Sequence, residues 1–325
     1  MRRKRIGLII LLVFVAIVLV TCFGLLLENN EKLSTKYKES QREKVIVHEG
    51  KKYRYNEHLS NYLFLGIDTR DAVSWNGTPG QSGQADAIFL VSYDRVKKTV
   101  QCISIPRDTI AKIHLFAPDG TDLGYSDAHI NIQYAYGDGK TKSCQLMKEA
   151  VQTLLHNVPI QGYCAINMDG IPIAVDMVGG VKLTVPDNSL EDVSEEFKEG
   201  TLVTITKENA ELFLRYRDVS TSHSASGRMV RQTVFMQAFL NKAKEVREEE
   251  KDFVLDLREQ LKLYMVSNIG NDVFVKFLQA TSDSEKKIVD IPGKKVDGMN
   301  FDEYHINEEE LYKLILQVFY KEELS

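Results

Sequence analysis

The sequence predicts an α/β fold: a layered α-β-α domain with a central mixed sheet, preceded by one N-terminal transmembrane helix. Three observations lead there. Short β-branched and aromatic runs bounded by turn residues alternate with segments of helical apolar spacing, the pattern of a layered α/β domain. Two of those runs are joined by a connection short enough for a hairpin. And the chain begins with a long uncharged apolar stretch, Ile6 to Leu27.

That stretch, at ~1.5 Å rise per residue, is long enough to cross a hydrocarbon core of ~30 Å. A cleaved signal peptide has a shorter apolar region, roughly 7 to 15 residues, followed by small residues at the cut. Here the run ends Leu25-Leu26-Leu27-Glu28-Asn29, so an uncleaved signal anchor is expected. Arg2, Arg3, Lys4 and Arg5 precede it and mark the cytoplasmic side. The expected organisation is a cytoplasmic tail at 1–5, the membrane anchor at 6–27, a polar stalk or leading strand at 28–58, and one extracytoplasmic domain at 59–325. The protein would then sit in the cell membrane as a single-pass chain with its N-terminus in the cytoplasm.

With 43% hydrophobic and 27% charged residues the 325-residue chain can bury a substantial core. Its formal net charge of −5 includes the basic N-terminal run, so the remainder is more acidic still, which argues against a nucleic-acid partner. Cys22 falls in the apolar stretch, leaving Cys102, Cys144 and Cys164, an odd number without metal-site spacing. Cys102 and Cys164 sit in strand-like runs and read as small buried hydrophobes.

Along the chain, "YLFLGID" (62–68), "DAIFLVSYD" (86–94) and "TVQCISIPRD" (99–108) are strand signals. A hairpin between the second and third sets the end of one strand beside the start of the other, so Arg107 should lie near Asp86. If the first strand is a neighbour too, Asp68 joins them on the same rim. "SCQLMKEAVQTLLHNV" (143–158) has Leu146, Ala150, Val151, Leu154, Leu155 and Val158 at helical spacing, with Ser143 as candidate N-cap; a core-facing helix is the expectation. "YCAINM", "GGVKLTVP" and "TLVTIT" read as strands. "TKENAELFLRYR" reads as a helix capped by Thr206, and the segment from "SGRMVRQ" as a long helix capped by Ser226. A strand, a turn and a closing helix end the chain.

The chemistry concentrates in "RYRDVSTSHSASGRMVRQ" (215–232), which sets Arg215, Arg217, Arg228 and Arg231 in an acidic protein. Arg228, Arg231 and Gln232 fall at i, i+3 and i+4, one face of the helix's first turns, where free N–H groups already favour an anion. Planar guanidinium groups bind phosphate oxygens bidentately. The plainer alternative pairs each arginine with a nearby acid such as Glu208, Glu211 or Asp218. Asp68 and Asp86 are the turn and cap type of carboxylate when taken singly. Beside an arginine cluster they also suit Mg²⁺, which uses one or two carboxylates plus substrate phosphates. Two aspartates facing four or five arginines fit phosphoryl transfer. No P-loop, G-x-S-x-G or H-E-x-x-H is present.

"FLGIDTR", "ADAIFLVSYD", "SIPRDT", "HINIQYAYGDG", "VDMVGGVKLTVP" and "LRYRDVS…GRMVRQ" follow in this order after the apolar stretch. Together they resemble the LytR–CpsA–Psr family of bacterial cell-envelope proteins, over about residues 60 to 240, and the tail with "IPG" and "DGMNFDEY" is similar to the family's C-terminal end. The resemblance implies transfer of a glycopolymer, such as teichoic acid or capsular polysaccharide, from a polyprenyl-pyrophosphate carrier to peptidoglycan. By its pattern Asp68 and Asp86 would hold Mg²⁺ (or Mn²⁺), and Arg107, Arg215, Arg217, Arg228 and Arg231 would grip the pyrophosphate. Arg70 and Gln232 also match motif positions, and Asp108 adjoins Arg107 as a candidate proton acceptor. The apolar stripe read as core would, in this family, line a polyprenyl slot. Many relatives carry a basic residue and Ser or Thr where this chain has Gln84-Ala85, and an acid where it has Ala225; "SWNGTPGQSGQ" (74–84) is an insertion at the rim. Two alternatives stand beside transfer: hydrolysis of the lipid pyrophosphate, and a non-catalytic envelope protein that binds polyprenyl phosphates or regulates.

Overall fold

The computed structural model describes residues 45–70, 72–74, 78–216, 224–280, 288–297 and 302–323. The predicted anchor at 6–27 lies outside them; among the described residues no helix is long and apolar enough to cross a membrane. The described residues divide into two compact units, one comprising those from Val45 to Asn56 together with those from Leu316, the other those within Glu57–Ile315. In the first, β1 (Val45–His48) and β2 (Lys51–Tyr55) form an antiparallel hairpin, which turns through Glu49 and Gly50, both at positive φ. The terminal strand Tyr320–Glu322 pairs antiparallel with β2.

The second unit is built on a six-stranded mixed sheet. β3 (Leu59–Ile67), β4 (Ala85–Asp94) and β5 (Thr99–Ser104) run antiparallel in sequence, with Asp94 opposite Thr99 and Phe89 opposite Ser104. The chain then leaves the sheet as an antiparallel ribbon, β6 (Ile110–Phe116) and β7 (Asp122–His129), and a 3-10 segment Ile130–Tyr136 leads to α1 (Thr141–Leu154). β8 (Gly162–Asn167) returns parallel to β3. After α2 (Gly170–Met177), β9 (Val181–Thr184) and β10 (Leu202–Ile205) make a two-stranded ribbon of their own. α3 (Ala210–Arg215), α4 (Ser224–Glu249) and α5 (Phe253–Leu261) follow, then β11 (Met265–Ser267), antiparallel to β8. α6 (Asn271–Ala280) precedes β12 (Ile288–Asp290), which pairs parallel with β5. The hairpin β13 (Gly293–Asp297) and β14 (Asp302–Ile306) leads into α7 (Glu308–Phe319). Strand order across the sheet is β11-β8-β3-β4-β5-β12.

Strand alternation assigns the two faces. Phe64, Gly66, Cys164 and Ile166 share a cavity with Phe235 and Phe239 of α4, Leu257 of α5 and Phe274 of α6. The alternate positions Ile67, Ala165 and Asn167 share a separate recess with Tyr134 of the 3-10 segment. A further core gathers Val175, Leu183, Phe197, Val203, Phe213 and Phe253, so the β9–β10 ribbon is packed by helices rather than by the main sheet.

The structure corrects several local expectations. α1 begins at Thr141, two residues before Ser143, because Asp138 supplies the cap: its carboxylate accepts from the backbone N–H of Lys140 at 2.8 Å and of Ser143 at 3.2 Å. It stops at Leu154 rather than 158, where His156 and Asn157 turn left-handed at φ 53° and 66°. Its apolar stripe is core, with Cys144, Leu146, Met147, Ala150 and Val151 all buried, and none of them lines the cavity on the other face. Thr206 accepts from Glu208 N–H at 3.3 Å, but helical residues begin only at Ala210. Ser226 lies inside α4. The β6–β7 ribbon and α2 had no counterpart in the sequence reading.

Gly137 sits where the 3-10 segment meets α1, and a Cβ there would overlap the backbone N and Cα of Ser143. Gly137→Ala should therefore lower unfolding stability by about 1–3 kcal/mol, the usual cost of overpacking, measurable by urea denaturation of the purified chain.

Candidate functional site

Asp68 leaves the end of β3 and is locked to the start of β4 by a reciprocal pair of hydrogen bonds. Its N–H donates to the Gln84 carbonyl at 3.0 Å, and its carboxylate accepts from Gln84 N–H at 2.6 Å. Gly83, at φ 86°, permits this closure, since a Cβ there would overlap Thr69 and press on the Asp68 carboxylate. Burial raises the Asp68 pKa above the usual carboxylate value; the charge of Asp86 adds to that rise, while Gln84 N–H, Arg107 and Arg215 oppose it.

Asp86 is the second residue of β4, and the β4–β5 hairpin brings Arg107 back to it as the spacing requires. Ile105 N–H donates to the Ile88 carbonyl at 2.9 Å, and Arg107 Nη1 donates to Asp86 Oδ1. The Nε of Arg107 donates to Asp108 at 3.1 Å. From the other side Arg228 Nη1, on the second turn of α4, lies 3.6 Å from Asp86 Oδ2. One nearly buried carboxylate thus receives guanidinium groups from two separate elements.

The remaining arginines are less uniform than their spacing implies. Arg231, 1% exposed, donates through Nε to the Phe213 carbonyl at 2.7 Å, through Nη2 to the Tyr216 carbonyl and through Nη1 to Ser189 Oγ, with Asp187 at 3.7 Å. Gln232 Nε2 donates to the Leu214 carbonyl at 3.3 Å. These two side chains satisfy carbonyls that the end of α3 leaves without helical partners. Burial lowers the Arg231 pKa, and Asp187 works against that. Arg215 pairs with Glu211 at 2.8 Å, and Arg70 pairs with the same Glu211 and with Asp169 at 3.3 Å. Arg217 lies outside the described residues.

Two cavities meet at this cluster. One, of about 250 Å³, is walled by Phe64, Ile166, Phe235, Phe239, Leu257 and Phe274, and reaches Asp86, Arg215 and Gln232. The other is small, about 50 Å³, and charged, lined by Asp86, Arg107, Asp108, Arg228, Gln232, Lys295 and Tyr304. Asp86 and Gln232 belong to both.

Among the described residues no cluster of three or more His, Cys, Asp or Glu suits a metal ion. The pair Asp68 and Asp86 nonetheless fits Mg²⁺, which takes one or two carboxylates and completes its shell with phosphates and water. Asp68, whose charged form burial and Asp86 disfavour, is a carboxylate that a cation would stabilise. The thiols offer no alternative chemistry: Cys102, Cys144 and Cys164 are unbridged, and burial pushes Cys102 and Cys164 up to about 12.

Sequence reasoning did not single out Asn131, Lys295 or Tyr304. Asn131, 1% exposed, donates Nδ2 to Gln84 Oε1 at 2.8 Å and its N–H to the Arg107 carbonyl at 3.3 Å, tying the Asp68 loop to the Arg107 segment. Its signal was its place in the "HINIQYAYGDG" block, as that of Tyr304 was its place at the end of "DGMNFDEY"; Lys295, between "IPG" and that block, had none. The contrast between Arg231 and Arg215 is measurable. Arg231→Ala should cost about 3–5 kcal/mol, as for a buried charged group whose partners are left behind, whereas Arg215→Ala should change stability by about 0–1 kcal/mol; thermal unfolding of the two variants checks this.

The chain was also compared with known proteins. It is 28% identical over 221 residues to TagV of Bacillus subtilis, named a polyisoprenyl-teichoic acid–peptidoglycan teichoic acid transferase, a match covering 66% of this chain and 50% of the relative. TagU of Bacillus cereus, named likewise, is 31% identical over 182 residues, 55% of this chain and 51% of the relative. The chain thus spans about half the length of these curated relatives. The crystal structure of Bacillus subtilis TagV superposes with a TM-score of 0.59 at 25% identity, covering 81% of this chain and 96% of that one. TagT bound to LI-WTA gives a TM-score of 0.60 at 21% identity, covering 81% and 90%, and shares the mixed α/β fold. The model of the LytR_cpsA_psr family matches residues 24–317, nearly the whole chain, and this protein belongs to that family.

Proposed function

We propose that this protein is a membrane-anchored phosphotransferase that moves a glycopolymer, of teichoic acid or capsular polysaccharide type, from a polyprenyl-pyrophosphate carrier to peptidoglycan, with residues 6–27 as its anchor and the reaction outside the cytoplasm. The observation that carries this reading is the junction of an apolar cavity with a charged recess at Asp86 and Gln232. A polyprenyl pyrophosphate has that same profile, a long apolar tail ending in a compact anion. The transferase names of TagU and TagV support it.

In this reading Phe64, Phe235, Phe239 and Phe274 bury the lipid's first isoprenoid units, and the pyrophosphate lies between Arg107, Arg228 and Arg215. Arg107 and Arg228 exchange Asp86 for phosphate oxygens, which frees the Asp86 carboxylate. Asp68 and Asp86 are the carboxylates that would hold Mg²⁺, which when bound would neutralise pyrophosphate charge. A sugar hydroxyl of peptidoglycan attacks the polymer-side phosphorus, its oxygen forming the new phosphodiester bond while the bond to the bridging oxygen breaks. Polyprenyl monophosphate leaves with the electron pair, and the hydroxyl proton passes to a nearby base, for which Asp108 beside Arg107 is the candidate. Arg231 and Gln232 keep the end of α3, and with it Arg215, against the site.

The test supplies the full-length protein in detergent with a lipid-linked glycopolymer, Mg²⁺ and a peptidoglycan fragment. Formation of a covalent conjugate is expected, with Asp86→Ala and Arg107→Ala each slowing it by about 10²–10³, the cost of removing a preorganised charge partner of the transition state. Release of free polymer irrespective of acceptor would assign hydrolysis instead, and unchanged cellular function of Asp86→Ala would assign a binding role. Leu240 also lines the apolar cavity, and filling it with Leu240→Trp should raise KM for long polyprenyl chains and spare a short-chain substrate, a split readable in the same assay.

A further inference from the structure

The charged recess contains a cation that no motif nominates. Lys295 comes from β13, far along the chain from the arginine segment, yet it lines the same 50 Å³ recess as Arg107 and Arg228. Its position is fixed by the backbone that carries it. Tyr304, its register partner on β14, donates its N–H to the Asp108 carbonyl at 2.9 Å and bridges Thr109, so the hairpin is fastened to the segment that bears Arg107. The Tyr304 hydroxyl donates to the Ile291 carbonyl at 2.6 Å. Gly293 lets β13 cross under the Tyr304 ring, where any Cβ would overlap the ring and the His305 carbonyl. The strand is anchored, and the lysine it carries is exposed.

The arrangement also has a direction. Asp86 and Gln232 line both cavities, but Lys295 lines only the charged one. A ligand with its tail in the apolar cavity and its head at Asp86 and Gln232 therefore meets Lys295, which like Arg107 and Arg228 lines the charged recess alone, on the side of the head away from the tail. Lysine presents a compact point charge suited to a phosphate oxygen. We propose that Lys295 binds the second phosphate of the pyrophosphate, the one distal to the lipid, and thereby distinguishes a lipid pyrophosphate from a lipid monophosphate. This rests on the lipid-pyrophosphate reading above and deepens it: the lysine makes the substrate bind tighter than the monophosphate product.

The test measures binding of a short-chain polyprenyl pyrophosphate and of the corresponding monophosphate to the full-length protein in detergent with Mg²⁺. Lys295→Met should weaken pyrophosphate binding by about tenfold or more, the scale of one charge-assisted hydrogen bond, leave monophosphate binding unchanged, and be rescued by Lys295→Arg. Equal loss for both ligands, or no loss for either, overturns the inference while the parent reading stands. Failure of the wild-type protein to bind either lipid overturns the parent reading and this inference with it.

Discussion

Asp86 is the contact on which the site depends. Its two carboxylate oxygens face guanidinium groups that arrive from unrelated parts of the chain, Arg107 from the turn after β5 and Arg228 from the second turn of α4. With the side chain only 10% exposed, an unpaired charge there would be costly, so the pairing is enforced by desolvation as much as by attraction. It joins the start of a central strand to the long helix, and the two cavities meet where it does.

Around that contact the protein sets guanidinium groups to two different tasks. Arg231 and Gln232 spend their donors on the carbonyls at the end of α3, a structural debt that any helix terminus carries. Arg215 and Arg70 instead pair with carboxylates at accessible or half-accessible positions, contacts weak enough to be exchanged. Equal spacing on a helix face thus says little about equal duty: Arg228 and Arg231 are three residues apart, and one meets the site while the other is sealed beneath it.

Much of this was legible in the sequence because it is local. The three strands around Asp68, Asp86 and Arg107, the core-facing α1 and the Arg107–Asp86 proximity all follow from alternation, helical periodicity and one hairpin length. What was not legible depends on contacts between distant segments. Asp138 outcompetes Ser143 as the cap of α1 through turn geometry that periodicity does not encode. The β6–β7 ribbon has polar positions such as Lys112, Asp122 and Asp127 that blur its alternation. The apolar cavity is walled by α4, α5 and α6 rather than by the stripe on α1, because which apolar face meets which side of a sheet is decided by crossover connections. Lys295 enters the recess only because a hairpin near the C-terminus bridges Thr109.

The pairing of Glu211 with both Arg70 and Arg215 has one more consequence. Together with Asp86 it means the site is self-neutralised before any ligand arrives: the arginines are held by internal acids rather than standing as a bare positive field. For an incoming anion, entry is then an exchange of partners. An ion carrying no more charge than a carboxylate gains little by displacing one, whereas a multivalent anion that engages several guanidinium groups at once gains with each. Internal acids of this kind act as a threshold that screens out small, singly charged anions by the cost of the exchange alone.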